Sequence, residues 1–179
     1  MGIDEGREFL PCRIAVLTVS DTRSLAEDRS GDVLVARLEA SGHVLADRAI
    51  VRDERAEIAE RLRGWIADDG VDVVISTGGT GLTGRDVTVE AHGDVYEKEI
   101  PAFGTLFTML SYEKIGTSAI QSRACAGVAG GTYLFALPGS PGACRDAWDG
   151  ILGAQLDYRN MPCNFVEILP RLEEHRRRK

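Results

Sequence analysis

Val71-Asp72-Val73-Val74-Ile75-Ser76, running directly into Thr77-Gly78-Gly79-Thr80-Gly81-Leu82-Thr83-Gly84-Arg85-Asp86, is the stretch on which the fold turns. The first half is a short β-branched apolar run and predicts a strand. The second half holds four glycines and three threonines and predicts a loop whose backbone N–H groups are open to an approaching anion. Working outward, Ile58, Leu62, Trp65 and Ile66 recur at helical spacing upstream until Asp69-Gly70. Before them Val44 to Val51 reads as a weaker strand, and Val33, Leu34, Ala36, Leu38 and Ala40 mark a helix that stops at Ser41-Gly42. The run Arg13 to Ser20 is almost continuously apolar, as befits a central strand covered on both faces. Downstream, Thr88 through Ile115 is expected to be mainly helical with a break near Ile100-Pro101, because proline disfavours helix in the residue before it. Tyr133 to Leu137 is a further buried strand, ended by Pro138-Gly139, and a helix follows over Ala143 to Leu156. Strands alternating with helices of this length predict a three-layer α/β/α sandwich with a mostly parallel sheet, since parallel neighbours need long crossovers.

With 179 residues, 44% hydrophobic but only 6% aromatic, the chain fits one domain packed by Ala, Val, Leu and Ile rather than by rings. We expect a flexible segment over 1–10, a single domain over 11–168 and a basic tail over 169–179, ending His175-Arg176-Arg177-Arg178-Lys179. The net charge of −7 argues against broad contact with nucleic acid. Cys12, Cys125, Cys144 and Cys163 stand far apart, with no CxxC pair and no nearby histidine to complete a zinc site, so reduced structural thiols are expected. Met1 to Glu8 lacks an apolar signal core and no apolar run reaches membrane-spanning length; a cytoplasmic protein without membrane contact is the expectation.

Ligands of open parallel sheets lie outside the carboxyl ends of the strands. Here those ends carry Ser20-Asp21, Asp53-Glu54, the glycine loop and Pro138-Gly139-Ser140. A crossover loop needing positive φ also uses glycine, but the interleaved threonines and the closing Arg85-Asp86 favour a phosphate cradle. Asp86 beside a polyphosphate would make sense with a bridging Mg²⁺; equally, it suits the cap of a helix starting near Val87 or Thr88. Asp53 is ordinary for a loop before a helix, and convergence on the other strand ends is what raises it. Gly79, Gly81 and Gly84 satisfy G-x-G-x-x-G literally, yet a long helical segment follows instead of a helix feeding another strand, which leaves a dinucleotide-binding oxidoreductase as a remote alternative. No Gly-Lys-Ser/Thr closes the loop as in a P-loop. His43, His92 and His175 are scattered and no G-x-S-x-G elbow exists, so triad hydrolysis has no support; Trp65 and Trp148 lie on apolar helix faces and belong to the core.

From about residue 11 to 165 the sequence resembles the MoaB and MogA family of molybdopterin-handling proteins. The resemblance is carried by Ile14-Ala15-Val16-Leu17-Thr18-Val19-Ser20-Asp21, by Thr77-Gly78-Gly79-Thr80-Gly81 through Arg85-Asp86-Val87-Thr88, by Gly116-Thr117-Ser118 with Gln121-Ser122-Arg123-Ala124, and by Leu137-Pro138-Gly139-Ser140. The closing Gln155-Leu156-Asp157 and Pro162-Cys163-Asn164-Phe165 look more like MoaB than MogA. The resemblance implies a molybdopterin-binding fold that assembles into trimers or hexamers, hexamer favoured, and a molybdopterin adenylyltransferase (nucleotidyltransferase) reaction. In it the molybdopterin phosphate attacks the α-phosphorus of Mg-ATP, giving adenylylated molybdopterin and pyrophosphate. It implies catalytic roles for Asp86 and Asp53, with Mg²⁺ at Asp86, and a pterin-site role for Ser122 with Pro138 and Gly139. Ser20, Asp21, Thr77, Gly78, Gly79, Thr80, Gly81, Arg85, Arg123 and Ser140 complete the expected substrate and nucleotide contacts. Other proteins of cofactor synthesis are expected partners, and a catalytically weak pterin- or nucleotide-binding assembly factor is the alternative reading.

Overall fold

Parallel neighbours need a crossover at each step, and the chain supplies a helix for each of the first two. In the computed structural model, which describes residues 2–175, β1 (Gly2–Ile3) precedes β2 (Arg13–Val19), α1 (Arg29–Ala40), β3 (Val44–Val51), α2 (Arg55–Ile66) and β4 (Val73–Thr77). There follow α3 (Thr88–Gly93), β5 (Lys98–Glu99), α4 (Pro101–Ile115), β6 (Cys125–Ala129), β7 (Thr132–Leu137), α5 (Pro141–Ala147) and β8 (Asn160–Met161). Six strands form one sheet in the order β3-β2-β4-β7-β6-β5. The first four are mutually parallel, and β6 and β5 complete the edge through antiparallel pairings.

The apolar runs are unbroken because both sheet faces are covered. Ile14 and Val16 of β2, Val73 and Ile75 of β4 and Tyr133, Phe135 and Leu137 of β7 pack on one face against Leu34 and Leu38 of α1, Phe103 and Phe107 of α4, and Trp148 and Leu152. Their neighbours Ala15, Leu17, Val19, Val74 and Leu134 pack on the other face against Ile58, Leu62 and Trp65 of α2 and Ala91 of α3. The helix layers thus flank the sheet as expected, and both tryptophans are core residues, 4% exposed.

Three local features go beyond the reading of the sequence. The break expected near Ile100-Pro101 is present, with α4 starting at Pro101 after Ile100, but it is wider than expected: α3 already stops at Gly93 and β5 pairs with β6. The hairpin of β6 and β7 turns through Gly130-Gly131, at φ 54° and 84°. The last long helix starts at Pro141, capped by the Ser140 hydroxyl, and continues through a π-turn at Trp148–Leu152. There the absence of a side chain at Gly150 lets Leu110 approach, since a Cβ would lie 2.6 Å from its Cδ1. Within the segment expected to be flexible, Gly2 and Ile3 pair with Met161 and Asn160. Of the basic tail, Arg176 to Lys179 lie outside the described residues. No helix among the described residues is long and apolar enough to cross a membrane.

Candidate functional site

Register brings the strand ends level. Thr18 pairs with Thr77 and Thr77 with Leu137, while Val19 pairs with Val51, so four chain segments leave the sheet at one edge. They enclose a polar cleft of about 370 Å³. Its lining includes Ser20, Asp53, Gly78, Gly79, Thr80, Gly81, Asp86, Ser122, Pro138 and Gly139, all expected at the site from the sequence. Val19, Arg23 and Gln121 join them without having been expected there.

The glycine loop is shaped by close approach as well as by φ. Gly78 has φ 101°, and a Cβ there would lie 2.3 Å from the Val19 carbonyl oxygen. Gly79 has φ 61°, and its Cβ would meet the Thr88 hydroxyl at 2.5 Å and the Asp53 carboxylate at 2.7 Å. Four successive carbonyls are then taken by protein donors. The Thr88 hydroxyl donates to Gly78 O at 2.7 Å and its N–H to Gly79 O at 2.9 Å. The Arg123 Nε donates to Thr80 O and Gly81 O, both at 3.0 Å. Since the Gly78 N–H is held by Leu137 O and the Thr83 N–H by Asp86, what the loop has left to offer a ligand begins with the N–H groups of Gly79 and Thr80.

Arg123, expected to contact substrate, is engaged behind the loop. Besides those carbonyls it donates to Asp86 O at 3.1 Å and ion-pairs with Glu90, whose carboxyl it holds below the usual range. Thr77 is fully buried, its hydroxyl donating to Pro138 O at 2.9 Å, so it ties two cleft loops together from beneath. The Ser140 hydroxyl accepts from Ala143 N–H. Asp21 and Arg85 form a bidentate pair at 2.8 and 3.0 Å beside the cleft, and Arg85 also reaches Glu54 at 2.7 Å. Below the loop His92 is completely buried between the Ser76 and Tyr96 hydroxyls at 2.9 and 3.0 Å, and burial drives its pKa down to about 3, so it is a neutral structural link.

The two carboxylates of the cleft differ. Asp86 does not cap α3, whose cap position is Val87 without a side-chain bond. Its Oδ2 instead accepts from the Thr83 hydroxyl at 2.7 Å and N–H at 2.8 Å, and these bonds hold its pKa below the ordinary 3.8. Asp53 has its pKa raised, first by burial and then by the charge of Asp21. Among the described residues no group of three or more His, Cys, Asp or Glu is placed to hold a metal ion.

Two further site features escaped the sequence. Arg23 reaches Gly139 O at 3.3 Å. Asp28 is fully buried, takes the Thr18 hydroxyl at 2.7 Å, Gly31 N–H at 3.0 Å and Arg48 at 2.8 Å, and so anchors the segment from which the Ser30 hydroxyl donates to Gly139 O at 2.9 Å. An aspartate just before a helix was the available signal.

Residues 15–158 match the family described as a probable molybdopterin binding domain. Over 158 residues the chain is 51% identical to Molybdenum cofactor biosynthesis protein B of Escherichia coli (strain K12), spanning 88% of this chain and 93% of that one. A crystal structure of a Molybdenum cofactor biosynthesis protein B matches the fold with a TM-score of 0.85 at 36% identity, over 94% of this chain and 99% of its own. That of the tungsten cofactor synthesizing protein MoaB from Pyrococcus furiosus matches with 0.71 at 31% identity, over 92% and 96%. Sequence and fold thus agree, and the chain belongs to the MoaB and MogA family of molybdenum cofactor biosynthesis proteins.

Proposed function

We propose that the protein is a molybdopterin adenylyltransferase: a phosphate oxygen of molybdopterin bonds to the α-phosphorus of ATP, the bond to the β-phosphate bridge breaks, and pyrophosphate leaves. The observation that carries this reading is the glycine loop, its carbonyls from Gly78 to Gly81 tied back by Thr88 and Arg123, facing Asp53 and Asp86 in one cleft. Such a reaction asks the protein to align two phosphates and offset their charge, and it needs no covalent nucleophile. The loop N–H groups would hold phosphate oxygens, and Ser122, Pro138 and Gly139 would shape the pterin end.

A divalent cation fits the donors present. Two carboxylates fall short of a resident all-protein cage but match Mg²⁺, which takes one or two carboxylates plus phosphates. Asp86 with Asp53 would hold it, and bound there it would neutralise phosphate charge. Desolvated beside Asp21, Asp53 is a carboxylate that gains from an arriving cation.

One feature favours the alternative reading, a binder without turnover: Asp86 already closes its own loop through Thr83. Pyrophosphate release and adenylylated pterin formation from molybdopterin and Mg-ATP separate the two. Asp86→Asn should lower turnover by roughly 10²-fold or more with the fold intact. A wild type that binds both ligands and makes no product would end the adenylyltransferase reading, and an Asp86→Asn protein that stays active would remove Asp86 from the chemistry.

We also propose that the protein works in the cytoplasm as a homo-oligomer, a hexamer in preference to a trimer, without nucleic acid or membrane. Assembly is supported by the apolar face of α4, where Leu106, Met109, Tyr112 and Ile115 are about half exposed beside a groove of about 490 Å³, and the preference for a hexamer rests on the MoaB-like carboxyl-terminal segment. Light scattering should give a mass several times 19.4 kDa, and Leu106→Glu with Met109→Glu should reduce it; a monomeric wild type would remove the proposal.

A further inference from the structure

Positive charge is scarce in the cleft. Its lining carries the carboxylates of Asp53 and Asp86, and phosphate groups would add more negative charge. The two arginines flanking the glycine loop are committed elsewhere: Arg85 to Asp21 and Glu54, Arg123 to Glu90 and three backbone carbonyls.

Arg23 differs from both. Among the described residues it is the one cationic side chain in the lining, and no carboxylate there pairs with it. Its Nη atoms rest on Gly139 O at 3.3 Å and on the Ser30 hydroxyl at 3.5 Å, the long end of the hydrogen-bond range. Gly139 O also accepts the shorter Ser30 bond, 2.9 Å, and so stays satisfied if the guanidinium departs. The backbone, by contrast, is fixed: the Ser20 hydroxyl accepts from the N–H groups of Thr22 and Arg23 at 3.3 and 3.2 Å. An anchored main chain thus carries an exposed guanidinium that is loosely held and free of any carboxylate, at the edge of a cleft built for anions.

We propose that Arg23 leaves the Gly139 carbonyl to bind a phosphoryl group of the ligand in this cleft. The identity of that phosphate, nucleotide or pterin, rests on the adenylyltransferase reading; the need for a cation follows from the charges in the lining. Calorimetric titration of wild type, Arg23→Gln and Arg23→Lys, with Mg-ATP in one arm and molybdopterin in the other, tests it. For one of the two ligands Arg23→Gln should lose roughly tenfold or more in affinity, as expected for a charged hydrogen bond, with part regained in Arg23→Lys. The arm that changes identifies the phosphate. Arg29→Gln, the same charge change on an exposed residue at the start of α1, should bind as wild type does. Unchanged binding of both ligands by Arg23→Gln overturns the assignment while leaving the cleft's function standing, and so does an equal loss in Arg29→Gln, which marks a long-range field. A wild type that binds neither ligand overturns the assignment together with the reading of the cleft.

Discussion

Asp86 and Asp53 face one cleft from walls built in opposite ways. On the Asp86 side the carboxylate takes two bonds from Thr83, the carbonyls from Gly78 to Gly81 are each taken by Thr88 or Arg123, and Arg123 is itself oriented by Glu90. On the other side the Asp53 carboxylate has no side-chain donor among the described residues, and Asp21, the acid beside it, is the one that holds Arg85. The first wall is complete without a ligand and presents N–H groups. The second keeps an unfavourable charge that a ligand or cation can relieve, the kind of local cost expected where function, rather than stability, sets the residue.

The larger consequence concerns the finished wall. Arg123→Ala removes the donor shared by Thr80, Gly81 and Asp86 and strands the Glu90 charge. It should cost roughly 2 kcal/mol, or about 4–8 °C in Tm, since several charge-assisted bonds go at once from a partly exposed site. It should also release the loop carbonyls and weaken phosphate binding. Arg123→Lys should recover little of either, because a single ammonium cannot reproduce a planar fork reaching three carbonyls and a carboxylate. Thermal melts and Mg-ATP titration of the pair check this; full rescue by lysine would mean that charge alone matters and that the wall is not assembled by geometry.

Much of the contrast was legible in the sequence, but only by residue type. The runs of β2, β4 and β7 read correctly because burial on both faces leaves them apolar. With the parallel order known, their ends and that of β3 bring Ser20, Asp53, Gly78, Pro138 and Gly139 to one edge. Within the six-stranded sheet the strands that went unread are β5, only two residues long, and β6, whose Cys125-Ala126-Gly127-Val128-Ala129 is too small-sided to signal a strand by composition; the two-residue β1 and β8 went unread as well. Orientation was the other loss. Arg123, Thr77 and Ser140 lie within the recognised motifs, yet each side chain is spent on backbone groups, which spacing cannot reveal. Arg23 was missed for the converse reason: it matters through Gly139, 116 positions away, and only the folded sheet brings the two together.

The smallest expected effect is the sharpest test of the two walls, because its sign differs between them. The Asp53 carboxyl keeps its proton to higher pH folded than unfolded, so the native state binds more protons in the window from the ordinary 3.8 up to that raised value, and stability falls as pH rises through it. The penalty is fully present at neutral pH and absent below the window. Asp53→Asn should therefore raise the Tm of the ligand-free protein at pH 7, by about 1–2 °C given solvent screening, and the gain should vanish in acid. Asp86 has the opposite sign: its lowered pKa contributes stability that is present above 3.8 and lost as pH falls through the folded value. Asp86→Asn, which weakens the bonds from Thr83, should lower the Tm at pH 7 and converge on wild type in acid. Melts of the three proteins from pH 7 downward decide it. Shifts of the same sign at pH 7 would mean that the carboxylates stand in equivalent surroundings, and the distinction between a finished wall and a waiting one would fail.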